Sequence, residues 1–303
     1  MTTSTNKASA VAPSNREWAR QNVLMITLDC CRFDTLLEGR TPVLDSIGHV
    51  RRAETHGTFT LPAHMSFFTG YLPSVNEPPF ENYYSRQGFQ LWRLARGKFK
   101  DPKSYGLLLE GNTILAGFRK LGFSIIGAGG VRWFTKSPLT ELFDEFHFWG
   151  PDDYKNMFAT RQADDFALGH VDFLMERVQQ AGRPFFLFIN SSEPHVPYDF
   201  GEPLAPAIQE ILERARPLWG GKFTERSFSG VSKEEFSLLR DQQIRAIEAV
   251  DKKIGKLLEI LPKPTTVVVC GDHGECFGEN LKWGHGFPHE CVWTVPLIVG
   301  FHE

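Results

Sequence analysis

The feature that most constrains this chain is a set of short, unbroken apolar runs, several of which stop abruptly at an ionisable or hydrogen-bonding residue. Asn22–Leu28 (NVLMITL) runs straight into Asp29. Phe123–Ile126, Pro184–Asn190 (PFFLFIN) and Thr265–Cys270 (TTVVVC) repeat the pattern, and Val295–Val299 closes the chain. Apolar runs of this length, without polar alternation, are what strands covered on both faces of a parallel sheet require. Amphipathic segments lie between them. Ala163, Phe166, Ala167, His170, Val171, Leu174, Met175 and Val178 form one stripe at helical spacing, predicting a helix over 160–179 with His170 in its core face. Ile244, Ile247, Val250, Ile254, Leu257, Leu258 and Leu261 form another, stopped by Pro262 and Pro264. Strands alternating with helices predict a three-layer α/β/α sandwich with a mainly parallel sheet. In such folds ligands bind beyond the carboxyl ends of the strands.

The rest of the chain narrows the partners. A formal net charge of −3 over 303 residues carries none of the strongly basic footprint of a nucleic-acid-binding protein. No apolar run approaches the roughly 20 residues that span a bilayer. Residues 1–20 read as a flexible polar lead-in without an apolar secretory core, so a cytoplasmic location is expected. Without an internal repeat or low-complexity block, residues 21–303 read as a single catalytic domain. Leu72–Leu115 and Pro203–Ser232, rich in Pro, Gly and aromatic residues, read as excursions over the sheet that carry specificity. Cys30, Cys31, Cys270, Cys276 and Cys291 are odd in number and lack CxxC spacing, which argues against a disulfide scaffold or zinc knuckle. They read as small buried residues, less securely for Cys30 and Cys31, which adjoin the candidate site. No sequence signature points to a particular oligomeric state.

Chemistry-bearing residues gather after the apolar runs. Asp29 follows the first; Ser191, Ser192, Glu193 and His195 follow PFFLFIN; Asp272 and His273 follow TTVVVC, with His285 shortly beyond in WGHG. TFTLPAHMSFFTG places Thr60 and His64 at the start of a helix-like run. Carboxylates and imidazoles converging from separate strand ends are the donors of a metal centre, and the imidazoles favour Mn²⁺ or Zn²⁺ over Ca²⁺ or Mg²⁺.

Together these segments resemble the alkaline phosphatase superfamily, on its sulfatase and nucleotide phosphodiesterase side. LDCCRFDTL resembles its first metal-ligand strand, and TLPAHMSFFTG its nucleophile segment, with Thr60 in the nucleophile position. PFFLFINSSEPHVPYD is similar to the sulfatase strand and its Pro-His-x-Pro turn, and GDHGECFGENLKWGHGFPHECVWTVPLIV to the Asp-His-Gly-Glu element. The resemblance implies that Asp29, Thr60, Asp272 and His273 surround one metal and that Thr60 forms a covalent intermediate. It also implies that His195, His285 and His64 contact the substrate, the first two as oxyanion binders or leaving-group acids. Two-metal relatives imply a possible second ion on His195, Asp199 and His285; one ion is favoured over two.

The departures set the substrate class. Sulfatases convert a Cys or Ser to formylglycine, which Thr60 cannot undergo. His64 stands where their motif has Arg, Cys30 where they have a second metal-binding Asp, and their Lys is absent from GAGGVRW. The expected substrate is therefore a small-molecule phosphate-type ester, a phosphodiester or phosphomonoester. Three alternatives remain: transfer of the phospho group to an alcohol acceptor, sulfatase-like hydrolysis of an unusual ester, and, least favoured, a non-catalytic metal-binding protein.

Overall fold

The computed structural model describes residues 21–70, 113–136, 138–150, 158–219 and 230–303. The expected lead-in over 1–20 and most of the excursion over 72–115 lie outside the described residues.

The expected strands form the middle of one seven-stranded mixed sheet. β1 (Asn22–Leu28), β2 (Arg51–Glu54), β3 (Ser124–Gly129), β4 (Glu145–Phe148), β5 (Phe185–Ser191), β6 (Thr265–Gly271) and the later strand Thr294–His302 lie in spatial order β2, Thr294–His302, β6, β1, β5, β3, β4. A separate two-stranded ribbon pairs β7 (Cys276–Phe277) with β8 (Trp283–Gly284), so Thr294–His302 is β9. The run from β6 to β4 is parallel, while β9 pairs antiparallel with both β6 and β2.

Alternation along the strands explains the three layers. Leu24, Ile26, Leu28, Leu187 and Ile189 face one way and belong to a single apolar cluster. α1 (Phe33–Glu38), α2 (Pro42–Ile47) and, further along, Val171–Ala181 and Lys233–Ile260 supply the rest of that cluster with Leu36, Leu44, Leu174, Met175, Ile247, Val250 and Ile254. Val23, Met25, Phe186 and Phe188 face the other way, against α3 (Thr60–Thr69) and α4 (Ile114–Lys120), in a cluster dominated by phenylalanine. Side chains of this size contribute about 1.5–3 kcal/mol each on burial, so both faces of the sheet are committed to core. The GAGG segment is part of this packing: a β-carbon at Gly127 would lie 2.5 Å from the Phe146 ring.

Two helices differ from expectation. The stripe over 160–179 is broken: Ala163–Asp165 and Ala167–Gly169 are single 3₁₀ turns, and a short helix, α5 (Trp133–Lys136), precedes the true helix α6 (Val171–Ala181). His170 is not a core residue; it stacks on Trp149 at 4.3 Å and bonds the Asp164 carbonyl at 2.9 Å. α7 (Pro206–Ala215) lies within the second excursion and covers a third apolar cluster with Ile208, Ile211 and Leu212. α8 (Lys233–Ile260) begins eleven residues before its expected stripe, because Ser232 and Glu235 form a reciprocal capping box. The last helix, α9 (Glu290–Trp293), is a single turn ahead of β9.

Candidate functional site

Three neighbouring strands deliver the site from loops distant in sequence. Leu28 at the end of β1 is level with Gly271 of β6 on one side and Ser191 of β5 on the other. Asp29 and Asp272 therefore emerge side by side. The Asp29 N–H donates to the Ser191 carbonyl at 2.9 Å, and the Cys30 N–H donates to Asp272 Oδ1 at 3.2 Å. His273 Nε2 lies 3.6 Å from both Asp29 Oδ1 and Asp272 Oδ2. α3 brings in Thr60 as its first residue. The N-cap is Phe59, so the Thr60 hydroxyl does not cap the helix; it donates to Asp29 Oδ2 at 3.3 Å. The structure thus brings Asp29, Thr60, Asp272 and His273 together, each at most 2% exposed.

The electrostatics of this cluster call for a cation. Burial, reinforced by the Asp272 carboxylate, pushes the Asp29 carboxyl up to about 7, and burial pushes Asp272 up to about 8. Two adjacent carboxyls shielded from water do not both ionise without a compensating charge. His273 does not supply it, because burial lowers its imidazole below the usual range. Its Nδ1–H is committed to the Gly274 carbonyl at 3.0 Å, so Nε2 carries a lone pair. Asp272 Oδ2 and His273 Nε2 are buried without a hydrogen-bond partner. Ligand atoms of Asp29, Asp272 and His273 lie within 4.8 Å of one another. Orphaned acceptors converging on one point, with the imidazole tautomer set from behind by a backbone carbonyl, fit a divalent metal ion.

His195 and His285 stand at the same centre, their rings 5.4 Å apart, and His285 lies 4.3 Å from His273. The His195 Nδ1–H donates to the Val196 carbonyl at 2.8 Å, and His285 Nδ1 pairs with Glu275 Oε1 at 3.1 Å. Burial lowers His195 to about 3 and His285 well below its ordinary value, so both rings are neutral near pH 7. Glu275 is itself held by Tyr198, whose hydroxyl donates to Oε2 at 2.6 Å. Trp219 walls this side, 5.0 Å from His285 and 6.2 Å from His195.

Two expected site residues occupy other positions. Asp199 does not join His195 and His285; it is fully buried against Arg161, which reaches it through its backbone N–H at 2.5 Å and Nε at 2.7 Å. That pairing removes the carboxylate expected of a second metal on His195, Asp199 and His285. His64 has no exposed surface and lies among Phe67, Phe68, Phe134 and Phe188, so it does not reach a substrate. Its Nδ1–H donates to the Thr60 carbonyl at 2.7 Å, and Nε2 accepts from Thr27 Oγ1 at 3.0 Å, which in turn accepts from Asn190. The imidazole thereby ties the first turn of α3 to β1 and β5.

Sequence reading missed three contributors. Arg161 donates to the Ser192 carbonyl at 2.8 Å and the His195 carbonyl at 3.2 Å, clamping the turn that carries His195. Gln243 of α8 donates to the carbonyls of Cys30 at 3.0 Å and Pro194 at 3.2 Å, joining the loops after β1 and β5. Cys30, read as a small buried residue, has its sulfur in the centre itself, 3.4 Å from Asp29 Oδ1 and 3.4 Å from His285 Nδ1. The sequence carried two hints: Cys30 adjoins Asp29, and it stands where sulfatases have a second metal-binding Asp.

Comparison with known proteins bears on the family and the fold. The sulfatase family model matches residues 55–301. Similar solved structures include a protein of the alkaline phosphatase superfamily from Vibrio parahaemolyticus, at 16% identity and a TM-score of 0.52, covering 92% of this chain and 60% of that one. The phosphonate monoester hydrolase of Agrobacterium radiobacter matches at 18% identity and a TM-score of 0.58, covering 92% of this chain and 68% of that one. A 2-O GAG sulfatase matches at 14% identity and a TM-score of 0.60, covering 93% and 64%. The chain therefore spans roughly two thirds of the length of these structures. Among curated proteins no sequence matches. The chain has the α/β fold of these neighbours, and with a family model matching more than half of its length it belongs to the sulfatase family.

Proposed function

We propose that this protein is a metal-dependent hydrolase of a phosphate-type ester, with Thr60 as its nucleophile. The observation that carries the reading is the Thr60 hydroxyl, 3.3 Å from Asp29 Oδ2, at the edge of a buried ligand set with two unsatisfied acceptors. A divalent cation held by Asp29, Asp272 and His273, Mn²⁺ or Zn²⁺ in preference to Ca²⁺ or Mg²⁺, would lower the pKa of the Thr60 hydroxyl and neutralise charge on a non-bridging ester oxygen. Thr60 Oγ1 attacks phosphorus and the bond to the alcohol breaks. Water then cleaves the Thr60–phosphorus ester and regenerates the hydroxyl. His195 and His285, neutral and with Nδ1 already engaged, offer Nε2 as the proton acceptor for that water; either ring, once protonated, donates to a departing alkoxide. The side chain at position 60 supports phosphorus over sulfur, because threonine does not yield the formylglycine of sulfatases.

The test is a turnover panel on chelator-stripped protein reloaded with Mn²⁺ or Zn²⁺, using aryl phosphate monoester, diester, phosphonate ester and sulfate. Thr60→Ala is expected to lower phosphorus-ester turnover on the order of 10³-fold or more while metal remains bound. Undiminished turnover in that variant refutes the nucleophile assignment.

A further inference from the structure

Cys30 is buried for a reason other than packing. It has no exposed surface, yet it belongs to none of the apolar clusters, whereas its neighbour Cys31 sits in the main one. Cys31 turns its sulfur away, to the Arg32 carbonyl at 3.7 Å. Cys30 instead has φ +63°, a left-handed conformation that costs a side-chain-bearing residue about 1–2 kcal/mol. That conformation is held at both ends: the N–H donates to Asp272 Oδ1 and the carbonyl accepts from Gln243 Nε2. Strain maintained this way at a site marks a position with a task.

The outcome of the strain is the position of the sulfur. Three groups of potential ligand atoms overlap at the centre: Asp29 with Asp272 and His273, Asp29 with Cys30 and His195, and Cys30 with His273 and His285. Cys30 is a member of two of the three and joins the carboxylates to the outer histidines. On that side the carboxylate of Asp199 is taken by Arg161 and that of Glu275 is engaged by Tyr198 and His285, whereas the Cys30 thiol faces the centre.

We propose that Cys30 is a thiolate ligand of the cation at this centre, giving the site a preference for thiophilic ions such as Zn²⁺, Co²⁺ and Cd²⁺ over Mg²⁺ and Ca²⁺. The proposal rests on the metal-centre reading above. As the sulfur–metal bond forms, the thiol proton leaves to solvent and no electrons are exchanged. Sulfur ligation is the expected source of selectivity, because soft thiolates discriminate among divalent ions far more than carboxylates do.

The experiment uses the full chain with Cys276→Ser and Cys291→Ser, which removes the other thiols grouped with an imidazole among the described residues. The chelated protein is loaded with one equivalent of Co²⁺ and its absorption recorded. A near-ultraviolet sulfur-to-cobalt charge-transfer band is expected in this parent. Adding Cys30→Ser is expected to abolish that band, retain the visible cobalt transitions and weaken Co²⁺ binding at least about tenfold, a loss typical even of groups one shell removed from the metal. Cadmium NMR of the parent, which leaves Cys30 unaltered, is expected to show coupling between the metal and the Cys30 β-protons. Visible cobalt transitions without a charge-transfer band overturn the Cys30 ligand and leave the metal centre standing. A charge-transfer band that survives Cys30→Ser, or cadmium without that coupling, also overturns it. Failure of the parent to bind Co²⁺ at all removes both readings.

Discussion

Replacing Arg161 with Met isolates the energetics of the turn that carries His195. Arg161 is 8% exposed and Asp199 fully buried, and the pair is joined by a guanidinium contact of 2.5 Å as well as the Nε and backbone bonds. Removing the guanidinium leaves a buried carboxylate without its counter-charge, which costs about 3–5 kcal/mol. At about 2.1 cal/mol/K of unfolding entropy per residue, each kcal/mol lowers the melting temperature of a 303-residue chain by about 1.5 °C, so a fall of about 5–8 °C follows. Adding Asp199→Asn removes the stranded charge and keeps an oxygen for the Arg161 N–H, so roughly half the loss or more should return. Activity separates from stability: the Ser192 and His195 carbonyls lose their donors in both variants, so turnover stays depressed in the double variant. Urea denaturation of the single and double variants gives the two free energies, with m-values checking that the unfolding reaction is unchanged. A single-variant cost below about 1 kcal/mol refutes the buried-charge argument. No recovery with Asp199→Asn assigns the loss instead to Arg161 packing over Phe166, 4.6 Å from its guanidinium carbon.

The remaining predictions concern the centre itself. The metal-free protein is expected to lose stability as pH rises from about 6.5 to about 8. Burial pushes the Asp29 and Asp272 carboxyls up to about 7 and about 8 against 3.8 for ordinary Asp, so from about pH 4 upward the folded state holds protons that the unfolded state has released. This contribution falls until the pH passes about 7 and about 8, above which it levels off. His64 and His195 are held at about 3 against 6.5, so below pH 6.5 the unfolded state takes up protons that the folded state refuses. Between about pH 4 and 6.5 this offsets the two carboxyls, which leaves the net fall above pH 6.5. Thermal melts of chelated protein across pH 5–9 test this; bound cation should remove the loss, and a flat metal-free profile from pH 6.5 to 8 counts against it. His64→Phe, with metal saturating, should lower turnover about tenfold or more by freeing the Thr60 carbonyl, since small displacements of a reacting group are costly; unchanged steady-state kinetics would sink that positioning role. Gly274→Ala puts a β-carbon 2.1 Å from the Cys291 carbonyl oxygen, backbone against backbone, and should cost about 1–3 kcal/mol and weaken metal binding. A wild-type denaturation midpoint and metal affinity would refute it.

How far the sequence reaches depends on where each residue's environment comes from. β1, β5 and β6 were legible because both faces of each strand meet core, so almost every position is apolar. β2 and β4 were not, since four-residue strands such as RRAE owe their existence to a partner rather than to their own pattern. The antiparallel direction of β9 is likewise a property of its neighbours. The stripe over 160–179 misled because its apolar spacing persists through two 3₁₀ turns, and the break at Gly169 and His170 leaves that spacing intact. At the site, Asp29, Thr60, Asp272 and His273 were readable because each adjoins the end of a strand or the start of a helix. The possible second ion on His195, His285 and Asp199 rested on a resemblance to two-metal relatives, which says nothing of the turn from His195 to Asp199. The turn between them, with Tyr198 at φ +65°, sends Asp199 towards Arg161 instead. Arg161 and Gln243 act across 31 or more residues of sequence, and nothing local announces such contacts.

The adjacency of β6, β1 and β5 also bears on the order of folding. Asp29 and Asp272 are separated by most of the chain, and they meet only after β1 has closed a loop of over two hundred residues with β6 in parallel register. Pairings of such sequence separation form late, because the entropy of loop closure precedes any compensating contact. A cation that needs both carboxylates therefore finds no site in early, partly paired chains. Its binding energy falls on the finished state alone, slowing unfolding while leaving the folding rate nearly untouched. With the proposed cation bound, the centre would act as a latch on the β1–β6 seam, and the lifetime of the folded molecule would become a function of free metal concentration.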